Sequence, residues 1–262
     1  MKRIVIISDC TDVAFSEIRA TIISIIPPNQ QQEISIEPLV RVKEFSIINA
    51  SFLIRLMAEC YNPKNTIFLI VVNPLKTTRK KRARIMGETD NGFKFVGENT
   101  GVLSWLIDDF GLKNLYEFNK NNLSGREFIS FGGKHFYAPM AAKVASGISM
   151  DKLGVKKKKS FLNKFKIPDG TVVHIDNFNS AKIKSNIPNS FNEGDKIKIK
   201  LSKNKNIIAR FSFSMKDLPD NTWSIFPGSS LKNLPEIAKV RSLDGLNKFG
   251  VEIGDIVEFK KI

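Results

Sequence analysis

Apolar positions recur with two different periods along the first half of the chain. Ile4-Val5-Ile6-Ile7 is a continuous apolar run of the kind a buried strand makes. After five polar or small residues, Ala14, Phe15, Ile18, Ile22 and Ile25 fall on one face at helical spacing. Phe45, Ile48, Phe52, Leu56 and Cys60 predict a second helix, leading through Tyr61-Asn62-Pro63 into an apolar strand from Ile67 to Val72. Gly101 to Phe110 predicts a helix stopped by Gly111. Pro139 to Ser146 predicts another, with proline near its start and Gly147 just past its end. Strands alternating with helices predict an α/β domain built on a parallel sheet.

The pattern changes at Lys156-Lys157-Lys158-Lys159, beyond which turn residues separate short strands. Lys196-Ile197-Lys198-Ile199-Lys200-Leu201 alternates strictly, Ile207 to Phe213 is a further strand candidate, and so is Ile256 to Phe259. The expected organisation is an α/β domain over residues 1–155, a basic linker over 156–167 and a small β-barrel or sandwich over 168–262. Neither long apolar run can span a bilayer, and Ser8-Asp9 ends the first too early for a signal peptide. A cytoplasmic protein with no membrane association is expected.

Composition supports an ordered protein: 262 residues with 42% hydrophobic and 26% charged side chains can bury a core, which excludes a disordered chain. Lys+Arg 41 against Asp+Glu 26 leaves a net charge of +15, so an anionic partner must be considered. Cys10, Cys60, His135 and His174 are too few and too scattered for a disulfide framework or a zinc site, and no metal is expected. The basic stretch Lys76, Arg79, Lys80, Lys81, Arg82, Arg84 reads as a solvated loop ahead of a phosphate-binding surface. Phe211, Phe213, Trp223 and Phe226 read as barrel core ahead of a base-stacking platform.

Ligands of open α/β sheets sit beyond the carboxyl ends of the strands, which directs attention to Ser8-Asp9-Cys10-Thr11-Asp12. This loop has no glycine, and its two carboxylates would repel a phosphate. Asp9 reads as an acceptor for a ribose diol or a partner for a positive centre. Asp12 reads first as a helix cap and second as a ligand contact, and Cys10 as packing or lining.

These residues, continued by Glu17-Ile18-Arg19-Ala20, resemble the opening of the S-adenosyl-L-methionine (SAM) hydroxide adenosyltransferases, whose relatives include fluorinase and chlorinase enzymes. Further segments follow in the family's order. Ala50-Ser51-Phe52-Leu53 with Tyr61-Asn62-Pro63 resembles its Ala-Ala-Phe helix and Tyr-Phe-Pro end. Val71-Val72-Asn73-Pro74 with Thr78-Arg79-Lys80-Lys81 resembles its Val-Asp-Pro-Gly-Val-Gly-Thr-x-Arg-Arg turn. Glu98-Asn99-Thr100-Gly101 resembles Pro-Asp-Asn-Gly, and Phe131-Gly132-Gly133-Lys134-His135-Phe136-Tyr137-Ala138-Pro139 resembles Phe-His-Gly-Arg-Asp-x-Phe-Ala-Pro. In the second half, Ile175-Asp176-Asn177-Phe178-Asn179, Gly228-Ser229-Ser230, Glu236-Ile237-Ala238 and Gly254-Asp255 resemble the family's remaining segments.

The resemblance implies a Rossmann-like N-terminal α/β domain, a small C-terminal β-barrel, and a homotrimer binding SAM or adenosine between subunits. It places Asp9 on the ribose hydroxyls, Asp176 and Ser229 on the methionine part, and Phe178 with Asn179 on the adenine. SAM would be substrate or ligand, with no separate cofactor. The family's water-activating Asp, Arg and His correspond here to Asn73, Lys80 and Gly132. Asn73 can orient water but cannot take its proton, and Gly132 offers only backbone groups. Lys80 keeps the charge without the planar fork of arginine. The leading expectation is an enzyme that displaces at C5′ of SAM, giving adenosine and methionine when water attacks, with weakened or altered activity. A non-catalytic SAM or adenosine binder is the alternative, and a nucleic-acid-binding module a second one.

Overall fold

Strand β1 (Lys2–Ser8) buries every residue from Ile4 to Ser8, because parallel neighbours flank it and helices pack against it. The computed structural model describes residues 1–74, 82–118, 130–202 and 205–262, which divide into two compact units, Met1–Phe165 and Lys166–Ile262. Helix α1 (Val13–Ile25) starts at Asp12, whose carboxylate accepts from the Ala14 N–H at 3.0 Å. Its Ile18 and Ile22 pack beside Ile4 and Ile6. Short strands β2 (Ile34–Ile36) and β3 (Val40–Arg41) both run parallel to β1. Ser46 caps α2 (Ile47–Cys60), which packs against β1 and leads into the wholly buried β4 (Thr66–Val71).

Strands β5 (Arg84–Glu88) and β6 (Lys94–Glu98), helix α3 (Ser104–Phe110) and β7 (Asn114–Glu117) follow. A π-helical turn (Gly133–Tyr137) then runs into α4 (Ala138–Ala145), before α5 (Met150–Leu153) and β8 (Val155–Lys156). The strand order is β2-β1-β4-β6-β5-β7-β8, with β3 also on β1. β1, β4 and β6 are parallel, whereas β5 is antiparallel to both β6 and β7, and β7 to β8. The wholly parallel sheet expected from the sequence is thus corrected to a mixed one. The cause is local: the Gly92 N–H reaches the Thr89 carbonyl at 3.0 Å and the Thr89 N–H the Phe93 carbonyl at 2.8 Å, so the chain doubles back as a hairpin.

The second unit holds β9 (Thr171–Ile175), β10 (Ala181–Lys184), β11 (Lys196–Lys200), β12 (Asn206–Phe211), β13 (Trp223–Pro227), β14 (Pro235–Lys239) and β15 (Glu258–Lys261). They form one curled sheet in the order β15-β11-β12-β13-β14-β10-β9. Its two ends meet in a seam, where Thr171 bridges Ile256 and the Val172 N–H reaches the Asp255 carbonyl at 2.8 Å. The unit is therefore a small barrel, one of the two architectures the alternation allows and the one the resemblance implies: Ile197 and Ile199 point inward and are fully buried, while Lys196, Lys198 and Lys200 point out. Phe211 joins this core, but Phe213 does not: it is 67% exposed and lies edge-on against Phe211 at 5.1 Å, correcting its reading as core.

Among the described residues no helix is long and apolar enough to cross a membrane.

Candidate functional site

In the first unit the carboxyl ends of β1, β4 and β6 lie side by side, since Ser8 pairs with Val71 and Leu69 with Val96. Candidate residues collect on that edge, where ligands of such sheets bind. Asp9 follows β1 directly. Its Oδ2 accepts from two backbone N–H groups at 3.1 Å each, Phe45 before α2 and Asn73 after β4. One carboxylate oxygen thus ties three loops together. Among the described residues Asp9 Oδ1 meets only the weak Cys10 Sγ donor at 3.9 Å, so it keeps capacity for a diol.

Asp12 stands on the helix side of this loop as the α1 cap, the first of its two sequence readings. Asn73 is exposed beside Asp9. Lys80, like Lys76, Arg79 and Lys81, lies outside the described residues. Gly132 precedes the π-helical turn with ordinary helical dihedrals, and a Cβ there would stand in normal contact with Tyr137 and Phe136. Gly133 differs: a Cβ would lie 2.9 Å from Val71 Cγ1 and 3.0 Å from the Phe131 ring, so the turn approaches the end of β4 only because residue 133 has no side chain.

Glu98 has no role in the sequence pattern, yet it closes β6 on the same edge. Its Oε2 pairs with Arg82 at 2.9 Å and its Oε1 accepts from the Tyr137 hydroxyl at 2.9 Å. Burial, followed by the Glu98 charge, pushes the Tyr137 hydroxyl far above its ordinary pKa, which keeps it a donor. Arg84 lies over the Phe136 ring at 3.9 Å. Arg82 and Arg84 therefore have partners inside the fold, which corrects their reading as part of a solvated stretch. A carboxylate closing the apolar run Phe95-Val96-Gly97 is the available sequence signal.

Cys10 is half-buried, and burial, with smaller contributions from the Asp9 and Asp12 charges, raises its thiol above the ordinary 9.0. Cys60 is exposed. Iodoacetamide near neutral pH should therefore modify Cys60 faster than Cys10, read by mass spectrometry of peptides. The Cys10 rate should still be climbing above pH 9.0, because its thiolate appears later than usual. Faster labelling of Cys10 would contradict this loop geometry.

In the second unit, Asp176 opens a tight turn after β9. Its Oδ1 accepts from the Phe178 and Ser180 N–H groups at 2.9 Å each, and Phe178 projects 63% exposed. Asn179 has a left-handed backbone, φ 62°; its Nδ2 donates to the Leu243 carbonyl at 2.7 Å and its Oδ1 accepts from Asn247 Nδ2 at 3.2 Å. The Asn179 amide thus anchors residues 243–247, an engagement its assignment to adenine did not foresee. Ser229 is exposed, whereas Ser230 is buried. Beneath Gly228 lies the buried Glu236, ion-paired with Lys182, and a Cβ at Gly228 would collide with that carboxylate. His174 pairs in register with Lys182, and burial, then the Lys182 charge, lowers its pKa below 6.5. No three acidic, histidine or cysteine side chains among the described residues form a metal-ligand set.

The model of the SAM hydroxide adenosyltransferase N-terminal domain matches residues 4–154. Two crystal structures share the fold over almost the entire chain. One, an uncharacterized conserved protein from Thermotoga maritima, is 22% identical with a TM-score of 0.82, over 98% of this chain and 100% of its own. The other, a conserved hypothetical protein from Thermus thermophilus, is 17% identical with a TM-score of 0.74, over 99% and 100%. No curated protein matches the chain.

Proposed function

The chain belongs to the SAM hydroxide adenosyltransferase family, and from that premise we propose that it binds SAM and displaces at C5′ with weakened or altered activity. The observation that carries this reading is Asp9, held at the β1 edge by two N–H donors on one oxygen while the other remains available to a ribose diol. Asp176 and Ser229 would take the methionine part, and Phe178 with Asn179 the adenine, supplied by a neighbouring subunit of a homotrimer.

In the reaction a nucleophile bonds to C5′ as the C5′–S bond breaks, and sulfur leaves with the electron pair as the neutral thioether of methionine. When water attacks, its proton must go to an acceptor. Asn73 and Gly132 provide none, so alignment and the sulfonium leaving group carry the rate. Glu98 is a carboxylate on the same edge, and its remaining lone pairs suit it to orient a water. An anionic nucleophile would need no base. The missing base also favours a second reading, a SAM or adenosine binder without turnover.

Calorimetry with SAM and adenosine, chromatography of adenosine formed from SAM, and light scattering separate these readings. Binding with slow adenosine release and a trimer mass is expected. Tight binding with no product supports the binder, and no binding of either ligand defeats both. A monodisperse monomer that still binds SAM would refute the shared site.

A further inference from the structure

The outward face of β15-β11-β12 is a lattice of cations that the SAM reading does not use. Lys196, Lys198 and Lys200 project from β11 above a fully buried Ile197 and Ile199. Lys196 lies directly opposite Arg210, and Lys198 between Lys260 and Ile208, so two like-charge pairs face each other across strands. Such pairs destabilise a sheet, and a surface kept charged only for solubility mixes signs instead. Lys200 has Glu258 at 3.3 Å, but Lys196, Lys198, Arg210 and Lys260 make no ion pair among the described residues. A groove of about 580 Å³ opens on this face, walled by Lys198, Lys200, Asn206, Glu258, Phe259 and Lys260.

We propose that this face binds the phosphate backbone of single-stranded nucleic acid, independently of the SAM site. Alternate residues of a strand stand about 6.6–6.8 Å apart and neighbouring strands about 4.7–4.9 Å apart, a grid on the scale of successive phosphates along an extended strand. The convex outer wall of a barrel cannot enter a duplex groove, whereas a flexible strand can follow it. A bilayer would require several projecting apolar side chains, and among the described residues of this face only Ile208, 50% exposed, and Ile262, 62% exposed and held beside Lys196, are apolar. Phe259 pairs with the buried Ile199 and packs toward the barrel core, so it offers the lattice no stacking ring, and binding is chiefly electrostatic and steeply salt-dependent.

The test is fluorescence anisotropy of labelled oligouridylate and oligothymidylate across a salt series, using the full chain. Lys196→Gln, Lys198→Gln and Lys260→Gln together should weaken binding about a hundredfold at 0.1 M salt. They should also flatten the log–log salt slope by about two, since each phosphate contact contributes about 0.7. Lys64→Gln, Lys152→Gln and Lys216→Gln, equal in charge and exposed elsewhere, should change neither. Circular dichroism confirms folding of both variants. Equal losses in the two variants, no binding of the wild type at low salt, or preferential lattice-dependent binding of duplex DNA or phosphatidylserine vesicles would overturn the proposal.

Discussion

Replacing Asp9 by alanine is expected to weaken SAM binding by about ten- to hundredfold while barely changing stability. The affinity loss follows from removing a charge-assisted acceptor, about 1.5–3 kcal/mol, at about 1.4 kcal/mol per tenfold. Stability is spared because both N–H groups that Asp9 receives, those of Phe45 and Asn73, are exposed and turn to water when it is removed. Asp9→Asn should fall between, since its one amide oxygen can hold the loops or accept from a ribose but its nitrogen cannot accept. Calorimetry gives the affinity, and thermal denaturation the stability. Unchanged affinity in a folded Asp9→Ala protein would remove this carboxylate from the site.

Restoring the family's water-activating residues together, as Asn73→Asp, Lys80→Arg and Gly132→His, should raise adenosine production by about 10²–10⁴-fold, the usual yield of positioned proton transfer. Single restorations should do little, because groups acting as a unit are not additive. At position 132 the fold has room for a side chain to begin. Gly132 has a negative φ of −55° and open contact distances toward Tyr137 and Phe136, unlike the confined Gly133. Position 73 already touches Asp9 through its backbone N–H, so a carboxylate there would enter the same edge. Chromatography of wild type and triple variant measures the gain. Rapid turnover by the wild type would mean that another group, such as Glu98 or Asp12, serves as base. No gain in a folded, SAM-binding triple variant would favour a site shaped for binding or for another nucleophile.

What is legible in the sequence is whatever a single period or cap determines. Ile18 and Ile22 on α1, the apolar run that forms β4, and Gly111 and Gly147, both with positive φ just past helices, all follow from local rules. The α2 face is less legible. Phe45, the first apolar position of the predicted helix, precedes the Ser46 cap with φ 60°, while Asn49, Ser51 and Arg55 are buried because the helix packs on more than one side. The turn of the β5-β6 hairpin has a local signal in Asn91-Gly92, but the strand before it is obscured. Gly87 looks like an interruption, yet the Phe95 ring and the Asn114 carbonyl occupy the space of its missing side chain, a long-range fact no local pattern carries. The site shows the same divide. Asp12 as a cap is local, whereas the ties from Asp9 to Phe45 and Asn73, and from Glu98 to Tyr137, depend on strands that meet only after folding.

The barrel seam bears on the order in which the protein is made. Its closing bonds join Gly170, Thr171 and Val172 to residues 254–257, so the first barrel strand emerges from the ribosome long before the partner that completes it. The first unit can pack while translation continues, but the barrel must wait with an open strand edge until its final residues are free, and such edges invite pairing with other chains. Synthesis rate over the residues of the second unit, together with access of chaperones to β9, would then govern how much soluble protein accumulates.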